Sequence, residues 1–103
     1  SHRHLSNLMG LNIIVKRGLG DAVSLGAMEA GAGGTSVIYA NAYPQQHKEH
    51  SLEKSDEREI ILASLAPAQV EPIVKAVTAL PELKDTPVML YTYPIPEALT
   101  YMK

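Results

Sequence analysis

Two histidines, His47 and His50, lie three residues apart in a polar stretch and are the best candidate metal ligands of this sequence. On a helical turn, this spacing would place both imidazoles on one side, where their nitrogens could coordinate Zn or Cu. Glu49 and Glu53 could add oxygen ligands, but two histidines specify a metal weakly. We therefore expect no metal site, and we keep as the alternative a metal-responsive trimer using His47 and His50.

Hydroxyl nucleophiles are present, but their surroundings do not predict catalysis. No serine lies in a nucleophile-elbow pattern, and there is no cysteine. The charged residues at 53–59 lack the apolar surroundings that would raise the pKa of a catalytic carboxyl group. We predict that the protein is not an enzyme. An enzyme subunit or a purely structural oligomer stays as a third hypothesis. The serines considered are Ser24, Ser36, Ser51, Ser55 and Ser64.

Two glycine clusters could approach a phosphate group. The turn Gly18-Leu19-Gly20 stands where a dinucleotide-binding fingerprint would begin, but Val23 occupies the place of its third glycine. The cluster Gly31-Ala32-Gly33-Gly34-Thr35, called the hinge below, lacks the lysine of a phosphate-binding P-loop. Both clusters therefore predict turns, and the hinge predicts the join between a helix and a strand.

Composition limits the partners and the compartment. The chain has 103 residues, a formal net charge of -2 and no dense block of Lys and Arg, so we expect no nucleic-acid partner. Its apolar runs are far shorter than the roughly 20 residues of a membrane span, so we expect no membrane insertion. The absence of cysteine suits a reducing compartment. These features favour a cytoplasmic protein.

The first half of the chain predicts two strands around a helix. Residues 11–15 are short, apolar and β-branched, and residues 35–42 are similar. Between them, Asp21 could cap a helix that Gly31 ends, with Gly26 permitting close packing on the sheet. The polar residues 43–56, from Tyr43 to Asp56, predict a long surface loop, which is often functional in a small domain.

The second half predicts a strand, a helix and a strand. Residues 57–65 have strand character, and apolar residues at spacings of three and four predict a helix that Pro81 ends. We place the start of this helix near Gln69, which leaves Pro72 in the first turn and Pro67 outside. A last strand at 88–93 is expected to end at the prolines 94 and 96, with a turn of helix at 97–101.

The element order βαββαβ predicts an α+β ferredoxin-like split βαβ sandwich, with a four-stranded antiparallel sheet and both helices on one face. The other face needs a cover, so we expect a homo-oligomer. We assign residues 1–103 to one domain and residues 1–8 to a flexible linker. The sequence leaves open whether this domain is one part of a longer tandem protein.

Two segments allow comparison with a known family. They are Ile13-Ile14-Val15-Lys16-Arg17-Gly18-Leu19-Gly20-Asp21 and Glu29-Ala30-Gly31-Ala32-Gly33-Gly34-Thr35-Ser36-Val37-Ile38. In these segments the chain resembles the divergent PII-like branch of the nitrogen-regulatory PII signal proteins. The resemblance extends over residues 11–99 and is most specific in the hinge.

The resemblance implies a non-enzymatic signal-transduction protein that forms a homotrimer and binds adenine nucleotides in clefts between subunits. It also implies a T-loop after the second strand, here residues 43–56, that contacts a protein target. Carried over by position, the ligand-binding residues are Gly33, Gly34, Thr35 and Gln45. Tyr43, at the loop entrance, could stack on a ligand ring. No cofactor is expected to be required.

The chain also departs from the PII-like pattern. Its hinge is one residue shorter than the usual Gly-Ala-x-Gly-Gly-Thr. Residues 83–87 replace a glycine-rich turn with a lysine, and only Lys103 is basic after the last strand. A triphosphate would therefore be poorly compensated for its charge.

Overall fold

The computed structural model describes residues 2–42 and 56–101, which form one four-stranded sheet and two helices. In chain order the elements are β1 (His2–Lys16), α1 (Gly20–Glu29), β2 (Ser36–Ala42), β3 (Asp56–Leu65), α2 (Pro67–Thr78), a 3₁₀ turn (Pro81–Leu83) and β4 (Met89–Tyr101). Within these residues, neither helix has the length and apolar character needed to cross a membrane.

The strand order is β2-β3-β1-β4, and every pair of neighbours is antiparallel. At the centre of the sheet, Ile13 of β1 lies opposite Ile61 of β3 and Leu90 of β4. The predicted ferredoxin-like α+β fold with an antiparallel sheet is therefore confirmed.

The core lies between the helices and one face of the sheet. Alternate residues of β1 and β3 point toward α1 and α2, as the period of two in a strand requires. Their burial removes apolar surface from water, and each large side chain contributes about 1.5–3 kcal/mol to stability. The largest fully buried side chains are Leu11, Val15, Ile13, Val23, Ile61, Leu65, Ile73 and Val77.

The outer strands differ from prediction. Residues 2–8, expected to be a flexible linker, belong to β1 and pair with β4. The prolines at 94 and 96 do not end β4, which continues to Tyr101 in place of the expected helical turn. In the described sheet β4 is an edge strand, so a proline nitrogen facing away from β1 breaks no hydrogen bond. Because these prolines are two residues apart in a strand, both nitrogens can point to the outer side of β4, away from β1.

The helix starts also differ from prediction. α1 begins at Gly20 rather than after Asp21, which lies in the first turn and does not cap it. α2 begins at Pro67. A proline is tolerated there because a backbone N–H in the first turn would have no acceptor within the helix. The side chain of Gln69 also accepts a hydrogen bond from Ala66 N, just before the helix, at 2.8 Å. Pro72 therefore lies inside the helix, where it leaves one backbone carbonyl without its usual donor.

Close packing at Gly26 involves the other helix rather than the sheet. A Cβ built at Gly26 would lie 3.0 Å from the side chain of Leu80, which follows α2. This glycine therefore lets the end of α2 approach α1. The expectation of close packing is confirmed, but its partner was assigned wrongly.

Candidate ligand-binding cleft

A cleft of about 560 Å³ opens where β2 begins, at the edge of the sheet next to the hinge. Its volume lies within the usual range of small-molecule sites. The cleft contains three predicted ligand-binding residues, together with residues from β3 and β4. Its lining residues are Gly33, Gly34, Thr35, Ser36, Leu62, Ala63, Ser64 and Tyr93. We call it the hinge cleft.

The hinge exposes its backbone to this cleft. Gly31 ends α1 with φ at 122°, a left-handed value that favours glycine, and Ala32 N donates to Ala27 O at 3.0 Å. Outside the chain neighbours, no described atom lies within 4 Å of where a Cβ would stand at Gly33 or Gly34. A ligand can therefore approach the backbone of these two glycines closely.

Side chains from both helices hold the hinge in place. Gln69 of α2 donates from Nε2 to the carbonyl oxygen of Gly31 at 3.0 Å. The hydroxyl of Thr35 forms a hydrogen bond with the hydroxyl of Ser24 on α1. These contacts hold both ends of the hinge beside the cleft.

Tyr93 forms the far wall of the hinge cleft, which the sequence analysis did not predict. It shares a sheet face with Tyr91, as expected for alternate residues of a strand. Both phenols form hydrogen bonds with Asn12 of β1, which is consistent with this shared face. The residue opposite Tyr93 is Gly10, and the aromatic ring lies over it. A glycine within a strand is a signal for close approach, but this signal points to Tyr93 only when the register of β1 and β4 is known.

A group of charged residues lies at the end of the sheet opposite the hinge cleft. Arg17 forms an exposed ion pair with Glu57 at 2.6 Å, and its guanidinium stands 5.9 Å from the ring centroid of Tyr39. The hydrogen bond from Arg17 to Glu57 and the negative charge of Glu57 raise the pKa of Arg17 above the ordinary value. Like any arginine, Arg17 is charged at physiological pH.

Glu59 is the buried carboxylate of this group, and it binds the start of α1. Only 6% of its surface is exposed. Its Oε2 accepts from Gly18 N at 2.7 Å, and its Oε1 accepts from Gly20 N at 2.8 Å. The turn Gly18-Leu19-Gly20, weighed above as a phosphate site, thus directs two amides to a carboxylate of the same chain. A negative charge is favourable there because a helix N-terminus is partially positive.

Several predicted site residues lie outside the described residues. They are Tyr43, Gln45, His47 and His50, and with them nearly all of the predicted T-loop. Among residues 2–42 and 56–101, no group of three or more acidic or histidine residues could hold a metal ion. The hypotheses on loop signalling and on the histidines therefore stay predictions.

Comparisons with solved structures agree on the fold. CPII of Thiomonas intermedia K12, a nitrogen regulatory PII-like protein solved with ADP, AMP and bicarbonate, superposes with a TM-score of 0.69. It is 13% identical, over 98% of this chain and 99% of CPII. The chain has the fold of the PII-like proteins. No family model and no curated protein matches its sequence.

Two further solved structures also superpose on this chain. A PII-like signalling protein of Thermus thermophilus has a TM-score of 0.66 and 12% identity, covering 92% of this chain and 90% of its own. CutA of Synechococcus elongatus PCC7942, solved with a Bis-Tris molecule, has a TM-score of 0.72 and 11% identity, covering 95% and 89%. The similarity is therefore one of fold. CPII and CutA share this fold although they were solved with different bound molecules.

Proposed function

We propose that this protein is a non-enzymatic, PII-like regulatory protein that binds a small ligand in the hinge cleft. The observation that carries the proposal is the cleft itself, which joins the exposed hinge backbone to β3 and β4. The PII-like fold supports it, because CPII, with the same fold, was solved with small ligands. Signalling to a protein target through residues 43–56, a role in nitrogen regulation and a cytoplasmic location belong to this proposal.

The chemistry of the hinge cleft suits a ligand with few phosphates. Among its described lining residues, Thr35, Ser36 and Ser64 offer hydroxyl groups, and none carries a charged side chain. Hydroxyl and backbone groups can bind a sugar, a base or bicarbonate, whereas polyphosphates usually need arginine or lysine. We propose adenosine, AMP or bicarbonate as ligands, in preference to ATP.

Isothermal titration calorimetry with AMP, ADP, ATP, cyclic AMP and bicarbonate tests this proposal. We expect binding of AMP or bicarbonate, and an affinity that falls from AMP to ATP. The variant Gly34→Leu places a side chain in the open space at the cleft and should lower affinity at least about tenfold, or 1.4 kcal/mol. Glu29→Leu, which adds the same side chain on the exposed surface of α1, should bind like the parent protein. No heat from any of the five compounds or from adenosine would contradict the proposal.

We also propose that the protein is a homotrimer in which other subunits cover the sheet face opposite the helices, the open face, outside the hinge cleft. Ile38 and Met89 on this face are 46% and 62% exposed, and Ile60 and Ile14 lie between them in the strand register. Contiguous exposed apolar surface of this kind often marks a protein interface.

Sedimentation equilibrium should give three times the chain mass of 11.1 kDa. Ile38→Glu should shift the protein to smaller species, because it would bury an unpaired carboxylate in the interface. Leu25 on α1 is 55% exposed on the helical side, so Leu25→Glu serves as the matched control and should leave the mass unchanged. A parent protein that sediments as a monomer at all concentrations would refute the trimer.

A further inference from the structure

Tyr93 reaches the hinge cleft across a neighbouring strand. The order β2-β3-β1-β4 places β1 between β4 and the strands that line the rest of the cleft. On β1, the residue opposite Tyr93 is Gly10, and any Cβ there would overlap the Tyr93 ring. The missing side chain of Gly10 therefore gives the ring room to lie across β1, toward Ser64.

Hydrogen bonds help to hold the ring in this position. The phenol of Tyr93 donates to Oδ1 of Asn12 at 3.4 Å, and Nδ2 of Asn12 donates to the phenol oxygen of Tyr91 at 3.1 Å. The ring is supported on the Gly10 side and 40% of the residue is exposed. A tyrosine has only two side-chain torsions, so a ring held in this way loses little entropy when a ligand binds.

We propose that Tyr93 is the aromatic wall of the hinge cleft and that it stacks on a flat heteroaromatic ring of the ligand, such as a purine. The exposed hydroxyls of Ser36 and Ser64 lie in the same cleft and can bind the polar edge of that ring. This inference rests on the proposed function of the cleft, and it assigns to Tyr93 the stacking role that the sequence had suggested for Tyr43.

Calorimetry on the full chain with two probes, adenosine and bicarbonate, separates stacking from other contacts. Tyr93→Ala should weaken adenosine about 10- to 100-fold, as expected for the loss of base stacking. Tyr93→Phe keeps the ring and should retain adenosine affinity within a few fold. Bicarbonate has no ring, so its affinity should be unchanged in both variants. Gly10→Ala, which displaces the ring, should reproduce the loss of adenosine binding.

Tyr91→Ala is the matched control. Tyr91 lies on the same strand and face and also bonds to Asn12, but it does not line the cleft. Equal losses of adenosine affinity in Tyr91→Ala and Tyr93→Ala would overturn the stacking role. If Tyr93→Ala does not fold by circular dichroism, Tyr93→Leu keeps apolar bulk without the aromatic ring and should show the same loss.

The two probes, together with the nucleotides titrated to test the proposed function, also separate this inference from that function. Bicarbonate or ADP binding without adenosine binding would overturn the role of Tyr93 and leave the ligand-binding cleft standing. Adenosine binding that Tyr93→Ala leaves intact would do the same. No binding of any probe to the parent protein would overturn both.

Discussion

Replacement of Glu59 by alanine is expected to lower the free energy of unfolding by about 2–4 kcal/mol. The reason is that two backbone amides, of Gly18 and Gly20, lose a buried carboxylate that accepts from both. Hydrogen bonds to charged groups contribute about 1.5–3 kcal/mol, and loss of a helix cap costs about 1 kcal/mol. Urea unfolding followed by circular dichroism, at one fixed protein concentration, measures the change.

Glu57→Ala is the matched control for Glu59→Ala. Glu57 lies two residues earlier on β3, and its ion pair with Arg17 is exposed, with 62% of the Arg17 side chain and 55% of the Glu57 side chain accessible. Exposed ion pairs are worth about 0–1 kcal/mol, so this variant should be nearly as stable as the parent. Glu59→Gln keeps one acceptor oxygen and should fall between the two. A loss below about 0.5 kcal/mol in Glu59→Ala would show that solvent replaces the carboxylate without cost.

The sequence predicted the central elements well because their signals are local. Short apolar and β-branched runs located the middle of β1 and β3, and the glycine hinge located the start of β2 correctly to one residue. The errors lie at element ends, where the outcome depends on neighbours in space. Pro94 is tolerated because β4 is an edge strand, a fact that follows from the strand order and not from the residues around it.

The residues of the candidate site also fall into two groups, those that a local sequence pattern predicts and those whose position depends on the strand register. Gly33, Gly34 and Thr35 could be named from sequence because a glycine hinge has a local pattern, and they do line a cleft. Tyr93 could not, since its place in the cleft depends on which residue of β1 lies opposite. The role of Glu59 likewise depends on the β1–β3 register, in which it faces Val15 beside the turn into α1.

Gly20→Ala is expected to destabilise the protein by about 1–3 kcal/mol, although alanine is favoured over glycine in helices by about 1 kcal/mol. A Cβ at residue 20 would overlap Oε1 of Glu59, so the carboxylate must move and its bonds to Gly18 and Gly20 weaken. Gly33→Ala is the control, because no described atom outside its chain neighbours lies within 4 Å of a Cβ there. It should change stability by no more than about 0.5 kcal/mol.

A double-mutant cycle with Glu59→Ala identifies the cause of the Gly20→Ala effect. If the alanine acts by displacing the carboxylate, it should cost much less once that carboxylate is absent. The contact with the Cβ of residue 59, at 3.2 Å, would remain and requires only a small shift. The double variant should therefore be about as stable as Glu59→Ala alone. Fully additive losses would mean that alanine strains the turn itself, and the carboxylate of Glu59 would then not be the reason that residue 20 is glycine.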